Sequence, residues 1–185
     1  ISGLAKTEEL YGLPLVDINT EILSVQQKFA KRIIDIIFSL IILVGFTPIW
    51  FLVSLIIKIE SRGPILYRQK RVGQNGRVFV INKFRSMKDE AENKTGPVWA
   101  TEKDPRITKV GKFLRKYRID EIPQFINVLF GDMSVVGPRP ERPFFVEKLI
   151  KKFPFYYRRH KIRPGITGWA QIKQSYDSSL SDVKE

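Results

Sequence analysis

The sequence predicts an α+β fold that is mostly helical, with a re-entrant helix-break-helix membrane anchor, interfacial amphipathic helices and a small β-hairpin. Three observations predict it. Residues Ile36 to Ile57 form a run of twenty-two without a charge, interrupted by Thr47-Pro48. Two strand-like runs, Ile65 to Val72 and Arg77 to Phe84, flank Gly73-Gln74-Asn75-Gly76, and Asn-Gly is a strong short-range hairpin signal. Further on, apolar residues recur at helical spacing, as at Val110, Phe113, Leu114 and Tyr117.

Composition narrows the chemistry. A chain of 185 residues has room for one domain and an anchor. Its 32 Lys and Arg against 19 Asp and Glu leave a net charge of +13, which points to a polyanionic partner: anionic lipid, nucleotide or nucleic acid. With no cysteine, a disulfide framework and a thiolate metal site are excluded. The single histidine, His160, excludes a His-rich metal cluster. The apolar run starts too far into the chain and is too long for a cleavable signal peptide.

Taken in order, residues 1–27 read as a linker or the end of an upstream region, with a loop-like Tyr11-Gly12-Leu13-Pro14. Residues 28–60 are the anchor. About 20 apolar residues normally cross a bilayer core, but a proline inside a helix removes a hydrogen bond and kinks or breaks it. Each half of this run is then too short to cross. Lys28, Lys31 and Arg32 precede the run, and Lys58, Arg62, Arg68, Lys70 and Arg71 follow it. The positive-inside rule therefore assigns both ends to the cytoplasm. A hairpin that enters one leaflet and returns satisfies both facts; a kinked spanning helix is the competing reading, because membrane helices tolerate proline.

Residues 61–185 carry the remaining elements. Asp89 to Pro105 is polar and reads as a long loop. The helix containing Val110 to Tyr117 presents Lys109, Lys112, Arg115, Lys116 and Arg118 on its other face. Such a helix lies in a membrane interface or packs as an ordinary solvated basic helix. A further pattern through Phe145, Val146, Leu149, Ile150 and Phe153 stops at Pro154. The aromatic and basic run from Phe155 to Lys161 fits lipid headgroups, or nucleic acid through stacking and phosphate contacts. The uncharged anchor favours membrane lipid, and no nucleic-acid partner is expected.

Chemistry concentrates between Arg118 and Pro140. Asp120-Glu121 stands where a new helix is expected, ahead of Ile122, Phe125, Ile126 and Leu129, with Pro123 suited to a first turn. A carboxylate there meets the positive end of the helix dipole, which is expected to lower its pKa and keep it ionised. It then serves as a nucleophile toward a phosphoryl group, with the adjacent acid sharing Mg²⁺, or it is simply a cap. In Gly137-Pro138-Arg139-Pro140 two prolines stiffen the chain around one arginine, whose planar fork matches phosphate oxygens. A rigid surface loop is the plainer alternative.

Together these residues resemble the bacterial sugar transferase family, the monotopic phosphoglycosyl transferases. The resemblance rests on Ile119-Asp120-Glu121-Ile122-Pro123-Gln124, Asn127-Val128-Leu129 and Gly131 to Pro140. It extends to Lys31-Arg32 with Asp35, to Gln69, Arg71 and Gly73, and to Lys83-Phe84-Arg85-Ser86-Met87. Arg106-Ile107-Thr108 and Arg163 to Gln171 also match, so it spans residues 28 to about 173. Val98-Trp99-Ala100 and the leading segment are similar to long members that initiate exopolysaccharide, capsule or O-antigen synthesis.

The resemblance implies transfer of a phosphosugar from a nucleotide diphosphate sugar, with uridine as the expected base, to polyprenol phosphate. It implies two steps, with Asp120 as nucleophile, Glu121 completing the dyad, and Mg²⁺ as cofactor at Asp120 and Glu121. Arg139, Arg85 and Lys83 are the expected phosphate contacts. Thr47-Pro48 corresponds to the family's break in a re-entrant helix, favouring the hairpin and a bacterial inner membrane location with the catalytic domain, 61–185, on the cytoplasmic face. Two departures stand out. Arg118-Ile119 replaces the Ser-Leu of smaller members, and the chain stops at Glu185 where relatives continue, so a trimmed C-terminus is expected. The alternative from another class is a non-enzymatic basic membrane-surface module that binds polyanions.

Overall fold

The computed structural model describes residues 6–10, 13–17, 23–88 and 104–173. The expected loop from Asp89 lies, up to residue 103, outside the described residues, as do Val98-Trp99-Ala100 and Tyr11-Gly12. The chain divides into two units, Ile1–Ile34 and Asp35–Glu185.

In the first unit, β1 (Lys6–Leu10) pairs antiparallel with β2 (Leu13–Asp17), with Lys6 opposite Asp17 and Leu10 opposite Leu13. From sequence, residues 1–27 read as a linker or the end of an upstream region. Five-residue strands of mixed polarity, one of them holding a proline, give no period-2 signal to read.

Helix α1 (Val25–Gly45) runs from the first unit into the second, and α2 (Thr47–Glu60) follows after the single residue Phe46. The two are bent by 60° at the break, and among the described residues no single helix is long and apolar enough to cross a membrane. Local chemistry accounts for the bend. Pro48 lies in the first turn of α2, where its missing N–H costs nothing. Thr47 Oγ1 donates to the Leu43 carbonyl at 2.9 Å, a back-bond of the kind that bends helices. Along the two helices Ile37, Leu40, Ile41, Val44, Phe51 and Ile59 are exposed.

Strands β3 (Leu66–Val72) and β4 (Val78–Phe84) form the expected antiparallel hairpin, with Leu66 opposite Phe84 and Val72 opposite Val78. Its turn is a 3-10 segment, Gln74–Gly76, with Asn75 at φ 55° and Gly76 at φ 76°. Asn and Gly supply these left-handed conformations at least cost.

Three apolar clusters attach helices to this hairpin. Phe84 packs with Val53 and Ile57 of α2 and with Leu114 of α3 (Lys109–Lys116). Ile81 packs with Met133 and with Val128 of α4 (Gln124–Phe130). Val72 packs with Phe145, Val146 and Leu149 of α5 (Pro143–Lys152) and with Tyr156 of the 3-10 segment Tyr156–Lys161. Thr108 caps α3 by accepting the Gly111 N–H at 2.9 Å. Of the apolar stripe predicted for α3, Leu114 enters the core, whereas Phe113 and Tyr117 stay exposed with ring centroids 4.7 Å apart. A short parallel pair, β5 (Ser134–Val136) beside β6 (Gly165–Thr167), and α6 (Trp169–Lys173) complete the described elements.

Candidate active site

Arg118 ends α3 in the left-handed conformation, φ 55° and ψ 23°, which costs a non-glycine residue on the order of 1–2 kcal/mol. This turn of the chain separates α3 from a 3-10 segment, Ile119–Glu121, that holds the acidic pair. The dyad therefore does not open α4, as the spacing suggested; that helix begins at Gln124 with Pro123 as its N-cap. Ile119 packs into the Phe84 and Leu114 cluster, which fixes the short segment beside β4.

Both carboxylates are buried, Asp120 at 7 % and Glu121 at 8 % exposure. Their surroundings differ. Lys83 Nζ, on β4, donates to Glu121 Oε1 at 3.0 Å, and Arg139 lies 3.8 Å from the same oxygen. Arg118 lies 3.6 Å from Oε2. Burial pushes the Glu121 carboxyl up, but Lys83, Arg139 and Arg118 outweigh it and hold the group below its usual range. Asp120 has no ion-pair partner within 4 Å among the described residues. Burial pushes its carboxyl up to about 6, Glu121 adds to the rise, and Lys83 and Arg115 only partly oppose it. The helix-dipole expectation of a lowered pKa is thus corrected. Residue 120 is not on the α4 terminus, and desolvation dominates.

The element carrying Arg139 is held from both sides. Gly137 N–H donates to the Thr167 carbonyl and Gly165 N–H to the Pro138 carbonyl, each at 2.9 Å. Arg71 donates to the Pro140 carbonyl at 3.0 Å, and Arg159 donates to the carbonyl of Arg139 itself at 2.8 Å. A Cβ on Gly137 would stand 2.5 Å from the Arg163 carbonyl oxygen, and one on Gly165 would collide with the Gly137 nitrogen. The two backbones touch there. On the other side, Asn127 of α4 accepts from Asn82 N–H at 3.1 Å and donates to the Val80 carbonyl at 2.7 Å. That pair of bonds sets α4 against the strand that supplies Lys83.

Of the residues expected at phosphate, the structure brings Lys83 and Arg139 to the dyad. Arg85 is placed elsewhere. It is buried, and its guanidinium donates to the carbonyls of Arg62 at 3.0 Å and Ser61 at 2.7 Å, closing the C-terminus of α2. Sequence reasoning gave no site role to Arg115, whose charge acts on Asp120 and whose buried NH1 has no hydrogen-bond partner among the described residues. On its helix it reads like the neighbouring Lys112 and Lys116, so nothing in the pattern singles it out.

Among the described residues, no group of three or more His, Asp or Glu could hold a metal ion. Both oxygens of Glu121 already face cations, so a hard divalent cation would find its open carboxylate at Asp120, with substrate oxygens needed to complete the shell.

Comparison with known proteins identifies the family to which this chain belongs. The sequence model described as bacterial sugar transferase matches residues 26–185. An Aeromonas hydrophila UDP-N-acetylgalactosamine-undecaprenyl-phosphate N-acetylgalactosaminephosphotransferase is 47 % identical over 84 % of this chain and 37 % of its own length. An Escherichia coli K12 UDP-glucose:undecaprenyl-phosphate glucose-1-phosphate transferase is 45 % identical over 91 % of this chain and 36 % of its own. An exopolysaccharide production protein of Rhizobium leguminosarum bv. phaseoli is 42 % identical over 77 % of this chain and 73 % of its own. The chain thus spans little more than a third of the first two relatives. On the family match and these identities, the chain belongs to the bacterial sugar transferase family.

Proposed function

We propose that this chain is the core of a phosphoglycosyl transferase that moves a sugar-1-phosphate from a nucleotide diphosphate sugar, UDP-linked as in the named relatives, to polyprenol phosphate. The observation that carries the reading is the split character of the dyad. Glu121 is neutralised by three cations, while Asp120 lies buried next to it without an ion-pair partner among the described residues. A desolvated carboxylate with a pKa near 6 is ionised at neutral pH and poorly stabilised by its surroundings, which suits a nucleophile.

In the first step an Asp120 carboxylate oxygen attacks the sugar-bearing phosphorus. The bond from that phosphorus to the bridging oxygen breaks, and its electrons leave with the nucleoside monophosphate. In the second, a phosphate oxygen of the lipid attacks the same phosphorus, the acyl-phosphate bond breaks, and the carboxylate is regenerated. Arg139, held by backbone on both sides, and Lys83 meet the charge on the transferring phosphoryl group. A magnesium ion held by Asp120, with Glu121 beside it, would neutralise pyrophosphate charge when bound.

The bent pair α1 and α2, with its exposed apolar faces, supports a re-entrant anchor, and the basic flanks support a cytoplasmic location for both of its ends. Exposed Phe113 and Tyr117, beside Lys112 and Lys116, suit an interfacial position for α3. Initiation of a membrane-bound glycan follows from the same reading.

The test is covalent capture. Incubation of the membrane-embedded chain with a UDP-sugar should add one phosphosugar to the peptide carrying Asp120, seen by mass spectrometry, and Asp120→Asn should abolish both adduct and turnover. A fully active Asn variant would remove Asp120 as the nucleophile, whereas a parent chain that turns over no donor would favour the polyanion-binding module.

A further inference from the structure

Three cations face the single carboxylate of Glu121, and they are not equivalent. The Lys83 side chain is 17 % exposed, that of Arg139 31 % and that of Arg118 50 %, so Arg118 is the outermost of the three. One positive charge balances one carboxylate, and the other two are a surplus at Glu121. Arg118 stands 3.6 Å from Oε2, beyond hydrogen-bond range, and its guanidinium makes no hydrogen bond among the described residues. A half-exposed pair at that distance contributes little. It does not offset the left-handed backbone that residue 118 adopts, and strain of this kind collects at functional sites. Residue 118 also stands outside the motifs that carry the family resemblance, with arginine where smaller members have serine.

Displacement at phosphorus tells where an outer cation is needed, because it holds the attacking and leaving oxygens in line. Asp120 is buried, so it attacks from the inner side, and the departing nucleotide phosphate stands on the open side. In the second step Asp120 is the leaving group, and the lipid phosphate attacks from the side opposite it. That is the position which the nucleotide phosphate has just vacated. Both steps thus put a second phosphate at one outer position, and the outermost cation of the dyad is Arg118. We propose that Arg118 is a further catalytic residue, whose guanidinium binds the nucleotide phosphate as it leaves and then the lipid phosphate as it enters. In the first step the bond from the attacked phosphorus to the bridging oxygen breaks. Its electron pair stays on the nucleoside monophosphate, whose added charge Arg118 meets. In the second, an oxygen of the lipid phosphate bonds to the phosphorus, and the electron pair of the acyl-phosphate bond returns to Asp120. The proposal rests on the transferase reading above and adds the residue that both substrates share.

The experiment follows the two half-reactions of the membrane-embedded chain separately. Incubation with UDP-glucose, UDP-galactose, UDP-N-acetylglucosamine or UDP-N-acetylgalactosamine measures formation of the phosphosugar adduct and release of nucleoside monophosphate. Addition of polyprenol phosphate, or of buffer alone, then measures loss of the adduct to lipid or to water. Arg118→Gln should slow adduct formation and transfer to lipid by roughly tenfold each, the scale of one charged contact at a half-exposed position. Hydrolysis of the adduct by water should keep the parent rate, because water brings no phosphate. Arg118→Asn is the second variant, since asparagine suits a left-handed backbone; it should melt no lower than the parent and be as slow as Arg118→Gln. Arg77→Gln removes the same charge at the exposed hairpin turn and should match the parent throughout. A loss in one half-reaction alone, an equal loss in hydrolysis, or parental rates in both Arg118 variants would each overturn the assignment. If the parent forms no adduct and releases no nucleoside monophosphate with any of the four donors, the transferase reading itself falls and takes this role with it.

Discussion

Ser134 Oγ donates to Asp35 Oδ2 at 2.7 Å, joining two residues ninety-nine positions apart in the chain. Asp35 lies in α1 near the start of the apolar run, yet it is 3 % exposed, and Val135 N–H donates to its second oxygen at 3.0 Å. Ser39 completes the arrangement by donating to the Asp35 carbonyl at 2.6 Å. The carboxylate thereby fastens the anchor helix to β5, the strand that leads into Gly137-Pro138-Arg139-Pro140. Buried charge in an apolar setting is tolerated when its oxygens are met by donors.

Removing the acid should cost more than removing the hydroxyl. Asp35→Ala removes the acceptor of two hydrogen bonds, and Ser134→Ala removes the donor of one. We expect a stability loss of roughly 2–4 kcal/mol for the first and about 1–2 kcal/mol for the second. Denaturant titration of the detergent-solubilised chain measures both, and the reverse order would show that Asp35 is held chiefly by other contacts.

Asp120→Asn should be inactive and yet more stable at pH 8. The sign follows from linkage. The folded pKa of about 6 exceeds the ordinary 3.8, so between these values the folded chain binds more protons than the unfolded one. Stability then falls as pH rises through this window, and the charged acid is a standing cost above it. Asn removes that cost, by roughly 1–3 kcal/mol at pH 8 and by little at pH 4. Melting curves across pH in chelator, without substrate, decide the matter. A variant less stable than the parent at pH 8 contradicts it.

Arg139→Lys should lower kcat/KM by roughly tenfold to a hundredfold, corresponding to about 1.5–3 kcal/mol for a lost charged contact. Lysine keeps the charge but not the planar fork that the locked loop presents. Equal rates in parent and variant would make Arg139 a structural cation of Glu121 alone.

Turnover should stop on chelation and return with Mg²⁺. The acidic pair offers too few ligands to hold a metal tightly without substrate, so the metal requirement should depend on donor concentration. A rate that chelator leaves unchanged would place the whole electrostatic load on Lys83 and the arginines.

Single cysteines at Gln27 and Arg62 test the anchor, in a chain that has none. Position 62 is preferable to Ser61, whose hydroxyl accepts from Arg85. A membrane-impermeant thiol reagent applied to intact cells should miss both sites. Labelling of one alone would establish a spanning helix.

Local features were legible from the sequence and distant ones were not. The hairpin at Asn75-Gly76 and the helix break at Thr47-Pro48 depend on residues within one turn of each other, and both lie where the pattern put them. The acidic pair stood out in the sequence, but its place on a 3-10 segment ahead of α4 and its electrostatics did not. The rise in the Asp120 pKa comes from burial, and the low value at Glu121 needs Lys83 from β4 and Arg139 from beyond β5. Arg85 and Arg139 look equivalent by residue type, and only packing shows that one closes α2 while the other faces Glu121. Asp35 was part of a recognisable motif, but its partners lie far along the chain. Strands of three residues, β5 and β6, are too short to carry a period at all.

The contact of the Gly137 and Gly165 backbones bears on how such a site can change. Where main chains touch, no larger residue can enter without moving Arg139, and a Cβ on Gly168 would likewise strike the Gly137 carbonyl. That part of the molecule has almost no freedom to vary. Whatever substitutions accumulate on the surface, the path of the main chain that carries Arg139 is therefore set by contact rather than by the choice of side chain.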